Sequence, residues 1–424
     1  MMSADWPRRP VAELQDNGLL LVEDGNHGEY RPRSEEFGEG AYAFVRAADM
    51  SDGRVLFDSA QRINDVAFTR IRKGVGRGGD VLFSHKGTVG KLAMVPLDAP
   101  PFVCSPQTTF WRTLDERRLD RCYLYYFMRS KEFTEQWMAR KGETDMADYV
   151  SLTAQRQLNI ALPAIDTQRA IAGVLGALDD KIEQNRRTAR ALERLARAIF
   201  RAWFVDFEPV KAKAAGATSF PSMPQAVFNT LPTRFADSKI GPFPEGWTTK
   251  KIGDLIELAY GKPLKADQRV PGPFPVFGAN GMIGWHEQPL VGEPGIVIGR
   301  KGNPGTVEWS DRPFFPIDTT FYVVRLGKHP LTWLFYELQK QNLGRLTADS
   351  AVPGLNRNAA YSIQLVVAPR DVLLQFDQII SPLWALRSWL RDESVKLAEI
   401  RNYLLPKLLS GEVRVDVSQS EALA

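Results

Sequence analysis

Ile171, Leu175, Leu178, Ile182, Asn185, Ala189, Leu192, Ala196, Ile199 and Trp203 follow one another at alternating steps of four and three through the middle of this chain. Phe376, Ile379, Leu383, Leu386, Leu390, Glu393, Leu397, Ile400 and Leu404 do the same near its end. Such spacing keeps one narrow stripe of a long helix apolar, and only another long helix can cover a stripe of that shape. The chain has two, so they are expected to pack on each other. Run antiparallel, about 36 residues at 1.5 Å each make a rod of roughly 50 Å. Asn185 and Glu393 interrupt the two seams. They either face each other and set the register, or each sits in a solvated stretch. Pro382 is expected to start or kink the second helix.

Each helix follows a β-rich, turn-rich segment, and the two segments share landmarks in the same order. Trp6, Val11, Glu13 and Leu14 match Trp247, Ile252, Asp254 and Leu255. DVLFSHKGTVG at 80–90 matches GIVIGRKGNPG at 295–305. Thr108-Thr109-Phe110 matches Thr319-Thr320-Phe321, and Leu162-Pro163 matches Ala368-Pro369. Four matches in order indicate an internal duplication, with the first copy lengthened between Trp6 and Lys86. The fold class expected is α+β: two tandem mixed domains separated by two long antiparallel coiled-coil helices, with a pseudo-two-fold repeat. Short strands broken by Gly, Pro and Asn support the β-rich reading of AYAFVRAADM, DVLFSH, GIVIGRKG and TTFYVV. VKAKAAGATSFPSMPQ, small and Pro-rich, reads as a linker.

Several function classes drop out. The Lys-Gly-x-x-Gly turns lack the spacing of a phosphate-cradling P-loop. Ala99-Pro100-Pro101-Phe102 lacks the leading acid or amide of an adenine methyltransferase motif. Four histidines and two cysteines (Cys104 and Cys122) give no metal-ligand spacing and no disulfide framework. No apolar run is long enough for a membrane span, and MMSADWPRRP is no signal peptide, which suits the cytoplasm. The net charge of +4 with a pI near 8.9 permits an anionic partner.

The layout resembles the specificity (S) subunit of type I restriction-modification systems. The marks that carry the resemblance are ARAIFRAWFVDFEPVKAK, PFPEGW and IRNYLLPKLLSGEVRV, with the loops DGNHGEYRPRS and FGANGMIGWHEQ. The resemblance implies a non-catalytic reader of double-stranded DNA. It divides the chain into a first target-recognition domain (1–163), a central helix (164–207), a linker (208–243), a second target-recognition domain (244–369), a C-terminal helix (370–415) and a tail (416–424). It implies a bipartite, asymmetric site, one half per domain, with the helices as spacer. Two methyltransferase subunits would dock on the helices and a motor-nuclease subunit would join them. No cofactor is expected on this chain; S-adenosylmethionine, ATP and Mg belong to the partners. The roughly 50 Å rod would span roughly 15 base pairs. A methylation-only complex, a self-contained nuclease or methyltransferase with a degenerate motif, and a coiled-coil protein-binding adaptor are the rival readings.

The DNA-contacting candidates follow from donor chemistry on glycine-flanked loops. In the first copy they are Asn26, His27, Tyr30, Arg31 and Arg33, then His85, Lys86, Thr88 and Lys91. In the second they are Asn280, Arg300, Lys301 and Asn303. Asn280 either pairs with adenine or forms a type I′ turn with Gly281. The candidate helix–helix and partner interface is Leu175, Leu178, Ile182, Asn185, Leu192, Ile199 and Trp203, with Leu383, Leu386, Leu390, Glu393, Leu397, Ile400 and Leu404. Arg186, Arg187, Arg190, Arg194, Arg197 and Arg201 would track DNA between half-sites or dock an acidic partner. Phe200, Trp203, Phe204 and Phe207 are either self-packed or a partner surface.

Overall fold

The computed structural model describes residues 6–25, 27–143, 148–238, 240–348 and 354–415. The candidate Asn26 and the tail 416–424 lie outside the described residues. The chain divides into two compact units, Met1–Glu183 with Val395–Ala424, and Gln184–Ser394. Each long helix, Ile165–Phe204 and Arg370–Leu409, is therefore shared between the units and is not a domain by itself.

In the first unit the main six-stranded sheet runs Leu20–Asp24, Thr108–Thr113, Val81–Ser84 and Leu92–Met94, these four antiparallel, then Gly53–Val55, parallel to Leu92–Met94, and Met50–Ser51. Val81–Ser84 is buried along its length because both faces of the sheet are covered. Alternation sends Val81 and Phe83 to a core that holds Trp111, Tyr123, Phe127, Ile171 and Leu175. Leu82 goes to the opposite core, with Phe110, Ala43 and Phe102. The second unit repeats the strand order with Ile256–Tyr260, Thr320–Arg325, Gly295–Gly299 and Val307–Ser310. Ile296 and Ile298 enter its large core, while Val297 packs on Phe277 and Phe314. A parallel strand pair flanks each sheet, Phe102–Cys104 on Phe37–Val45 and Phe315–Pro316 on Phe274–Gly278.

The hydrogen bonds place the equivalences residue by residue. Val11 N–H donates to the Leu158 carbonyl as Ile252 N–H donates to that of Ile363. Thr108 Oγ1 donates to the carbonyl three residues back, Ser105, at 3.0 Å; Thr320 does so to Ile317 at 2.7 Å. The register thus equates Thr108 with Thr320, one residue away from the sequence match to Thr319. Ser151 and Asn356 are matching helix caps, accepting from Ala154 N–H and Ala359 N–H.

Three expectations are corrected. The Pro-rich segment after Phe207 is not an open linker: it forms helices Glu208–Ala214 and Gln225–Thr230, and Val210, Met223, Phe228 and Leu231 are buried in the second core. Phe207 itself turns the chain in the left-handed region, φ 52°, held there by packing on Trp247 at 5.5 Å. Pro382 does not start the helix, since Arg370–Leu409 is one element. Finally, Leu386 and Ile400 face outward, 42% and 48% exposed. Each lies one residue, about 100° of helix, before an arginine that reaches the central helix. Arg387 pairs with Glu193, and Arg401 with Asp179. Trp384 and Ile380, outside the expected seam, are buried in the second core.

The rest of the seam is inside or half-buried. Leu175, Ile182, Ile199, Trp203 and Leu390 are buried, and Leu178, Leu192, Leu383, Leu397 and Leu404 half-buried. Asn185 Nδ2 donates to Glu393 Oε2 at 2.6 Å, so the two interruptions meet. Within the second unit this pair and Glu193–Arg387 run antiparallel. Phe200, Trp203, Phe204 and Phe207 all join the second core, against Tyr336, Phe376, Trp333 and Trp247.

Candidate nucleic-acid interface

The two Lys-Gly-x-x-Gly turns have one geometry. Gly87 and Gly90 sit at φ 78° and 99°, and Gly302 and Gly305 at 85° and 82°, values that L side chains rarely adopt. Gly90 N–H closes on the Ser84 carbonyl at 3.0 Å, and Gly305 N–H on that of Gly299 at 2.8 Å. A neighbouring glycine completes each site: a Cβ on Gly25 would lie 2.0 Å from the Cys104 oxygen, and one on Gly261 2.1 Å from that of Ile317. The shared glycines therefore build the turns, and the chemistry is left to the side chains between them.

In the second unit those side chains converge. Arg300 has its backbone pinned on both sides, donating to the Thr319 carbonyl and accepting from Leu355 N–H, each at 2.9 Å. Its Nη1 donates to the Asp318 carbonyl at 3.0 Å. Its guanidinium carbon lies 4.8 Å from the ring centre of Tyr260 and 5.9 Å from that of Phe321. Arg357 reaches the same tyrosine at 5.2 Å and Tyr361 at 5.8 Å. Tyr361 is fixed by accepting from Leu258 N–H at 2.8 Å. Lys301 and Asn303 are exposed beside this stack. Thr306 Oγ1 donates to the carbonyls of Asn303 (3.1 Å) and Ala279 (2.9 Å), tying the turn to the hairpin tip that carries exposed Asn280. That tip is Ala279–Asn280, with Gly278 paired to Gly281 and Gly281 at φ 94°, one residue earlier than an Asn280-Gly281 turn. Arg300, Lys301 and Asn303 thus share one turn, and Thr306 ties that turn to the hairpin tip of Asn280.

The first unit keeps fewer of its candidates on the surface. Lys86 and Thr88 are exposed. His85 is not: it is 7% exposed, and its Nδ1 lies 3.1 Å from the Val150 carbonyl. His27 is 4% exposed, with Nε2 2.9 Å from the Cys104 carbonyl. Burial holds both imidazoles below their ordinary pKa, hence neutral. Lys91 is also withdrawn as a contact, because its Nζ donates to the carbonyls of Ala47 (2.8 Å) and Met50 (3.1 Å). These three are corrected to structural residues, since a strand end that must close against Val150 or Cys104 spends its polar neighbours on backbone carbonyls. Arg31 and Arg33 remain exposed, and Arg72 lies 5.2 Å over half-buried Tyr30. Arg70 anchors this loop by donating to both Glu36 oxygens, at 2.8 and 2.6 Å. Along the central helix, Arg197 pairs with Glu193 and Arg201 with Asp206.

Sequence reasoning missed Tyr260, Arg357 and Arg72. Tyr260-Gly261-Lys262, an aromatic and a Gly-Lys turn at a strand end, carried a signal; Arg357, just after a helix cap, carried none. Among the described residues no group of three or more His, Cys, Asp or Glu is placed to hold a metal ion. Nor is any helix among them long and apolar enough to cross a membrane.

Comparison with known proteins gives consistent results. Residues 24–194 match the family described as type I restriction modification DNA specificity domain. The HindI specificity subunit of a type I restriction enzyme from Haemophilus influenzae is 23% identical, over 90% of this chain and 96% of that protein. The MjaIX specificity subunit from Methanocaldococcus jannaschii is 22% identical over 78% of each. The crystal structure of a type I restriction-modification S subunit from M. genitalium superposes with a TM-score of 0.62 at 17% identity, covering 96% of this chain and 99% of that one. At that identity the likeness establishes the fold.

Proposed function

This chain belongs to the DNA specificity subunits of type I restriction-modification systems, and from that premise we propose that it reads a bipartite, asymmetric site on double-stranded DNA. It is the sequence-recognising component of such a complex and not the catalytic one. Each unit would read one half-site, and the paired long helices would act as the coiled-coil spacer that sets the gap, giving the recognition surface a pseudo-two-fold arrangement. Partner methyltransferase subunits would methylate adenine within the site, and a motor-nuclease subunit would restrict unmethylated DNA. S-adenosylmethionine, ATP and Mg belong to those partners, in the cytoplasm. The outward Leu386 with Trp389 in one unit, and Ile400 with Tyr403 in the other, support helix docking by the methyltransferases.

The observation that carries this reading is one turn built twice with different side chains. Arg300, Lys301 and Asn303 stand in the second unit where His85, Lys86 and Thr88 stand in the first. A common frame with unlike contacts reads two unlike half-sites. Mapping genomic methylation of the host with and without the gene tests it. Loss of an adenine mark from a split motif is the expected result, and exchange of residues 1–150 should alter one half of the motif only. If no mark changes while a methyltransferase partner is expressed, the reading fails.

A further inference from the structure

We propose that Arg300, held on Tyr260 together with Arg357, reads a guanine edge within the half-site bound by the second unit. The inference rests on the DNA-reading function above and names the residue that would determine one base pair of the target.

Two guanidinium groups share one half-exposed tyrosine ring, and neither has a carboxylate partner among the described residues. Arg357 makes no hydrogen bond through its side chain to them, and Arg300 makes one, to the Asp318 carbonyl. Among the described residues most of their donors are thus unmet, on a half-exposed surface that carries two positive charges with no carboxylate on them. Such an array fits a partner rich in acceptors. Phosphate needs only a positive charge, and exposed Lys262 and Lys301, two residues after Tyr260 and one after Arg300, meet that need. A guanidinium held over a ring and by a carbonyl gains something different: its fork matches the paired N7 and O6 acceptors of guanine. Tyr260 and Arg357 are positioning residues in this scheme. The first unit has no such array, since Asp24, His85 and Leu152 occupy the equivalent places, so the effect should be confined to one half of the site.

The test uses the full chain in complex with its methyltransferase partner. Binding is titrated against duplexes in which each base pair of the site is changed in turn, at two salt concentrations. Arg300→Lys retains the charge and is expected to erase about 10- to 100-fold of discrimination at a single G·C pair of the second half-site. All other positions, and the salt slope, should stay as in the wild type. Tyr260→Leu should relax the same pair, whereas Tyr260→Phe, which keeps the ring, should not. The proposal is overturned if Arg300→Lys leaves every position unchanged. It is also overturned if Arg300→Ala weakens all sequences alike with a salt slope lower by about one, the mark of a phosphate contact. A wild-type complex without preference for any split site would instead overturn the DNA-reading function itself.

Discussion

At the end of the strand Val81–Ser84, His85 folds inward against the Val150 carbonyl; at the end of Gly295–Gly299, Arg300 lies on an exposed tyrosine. The backbone around both is the same, down to the closing hydrogen bond of the glycine turn. What holds this frame is main-chain pairing and two positive-φ glycines, not the residues between them. Those residues are therefore free to differ, and one turn geometry can present different chemistry in each unit. The interiors differ as well. The first unit buries an ion pair, Asp80–Arg112, where the second has Gly295 and Val324.

The largest effect is expected in the aromatic core of the second unit. Trp203→Ala removes a side chain that is 1% exposed and should destabilise that unit by about 3–5 kcal/mol. Its counterpart at the end of the other helix, Leu408→Ala, should cost about 2–4 kcal/mol in the first unit. Hydrogen exchange reads each unit separately, and equal loss in both units from either change would break the comparison.

Arg112→Leu would strand Asp80, whose carboxyl burial already pushes upward, and should cost the first unit about 3 kcal/mol. The double change Asp80→Ala with Arg112→Val should recover most of that in denaturant titrations. No recovery would mean that the pair also organises the sheet.

Acid should separate the units next. His27 and His85 have folded-state pKa values lowered by burial, so the unfolded chain binds more protons below its own value near 6.5. Their contribution is complete above that pH and is lost as pH falls below it toward the lower folded-state values. The second unit has only the partly buried His329 shifted the same way. The first unit should therefore melt earlier at pH 5.5 than at 7.5, by a wider margin than the second. The smallest effects belong to the surface lysines. Lys86→Ala and Lys301→Ala should each lower the salt slope of DNA binding by about one, without changing sequence preference. A change of preference from either would move that lysine from the phosphate to a base.

Much of the architecture was legible because it rests on periodicity and on glycine. The heptad spacing exposed both helices, and the repeated Lys-Gly-x-x-Gly exposed the duplicated turn. The failures share a cause. VKAKAAGATSFPSMPQ has linker composition, yet Val210 and Met223 are buried because the second core offers them a surface. His27, His85 and Lys91 have the side chains of DNA ligands, yet each is claimed by a carbonyl distant in sequence. Tyr260 and Arg357 lie far apart in the chain and meet only across a sheet edge and a helix start.

Local spacing alone determined the two long helices and the glycine turn that both units carry. These follow from the chain's own period and from the narrow conformational range of residues that are not glycine. Tertiary structure alone decided which polar groups remain for a partner. Burial makes every carbonyl compete for donors, and the outcome depends on residues brought close from elsewhere in the chain. So Arg300 stays outside on its ring, and His85, in the same place of the same fold, does not.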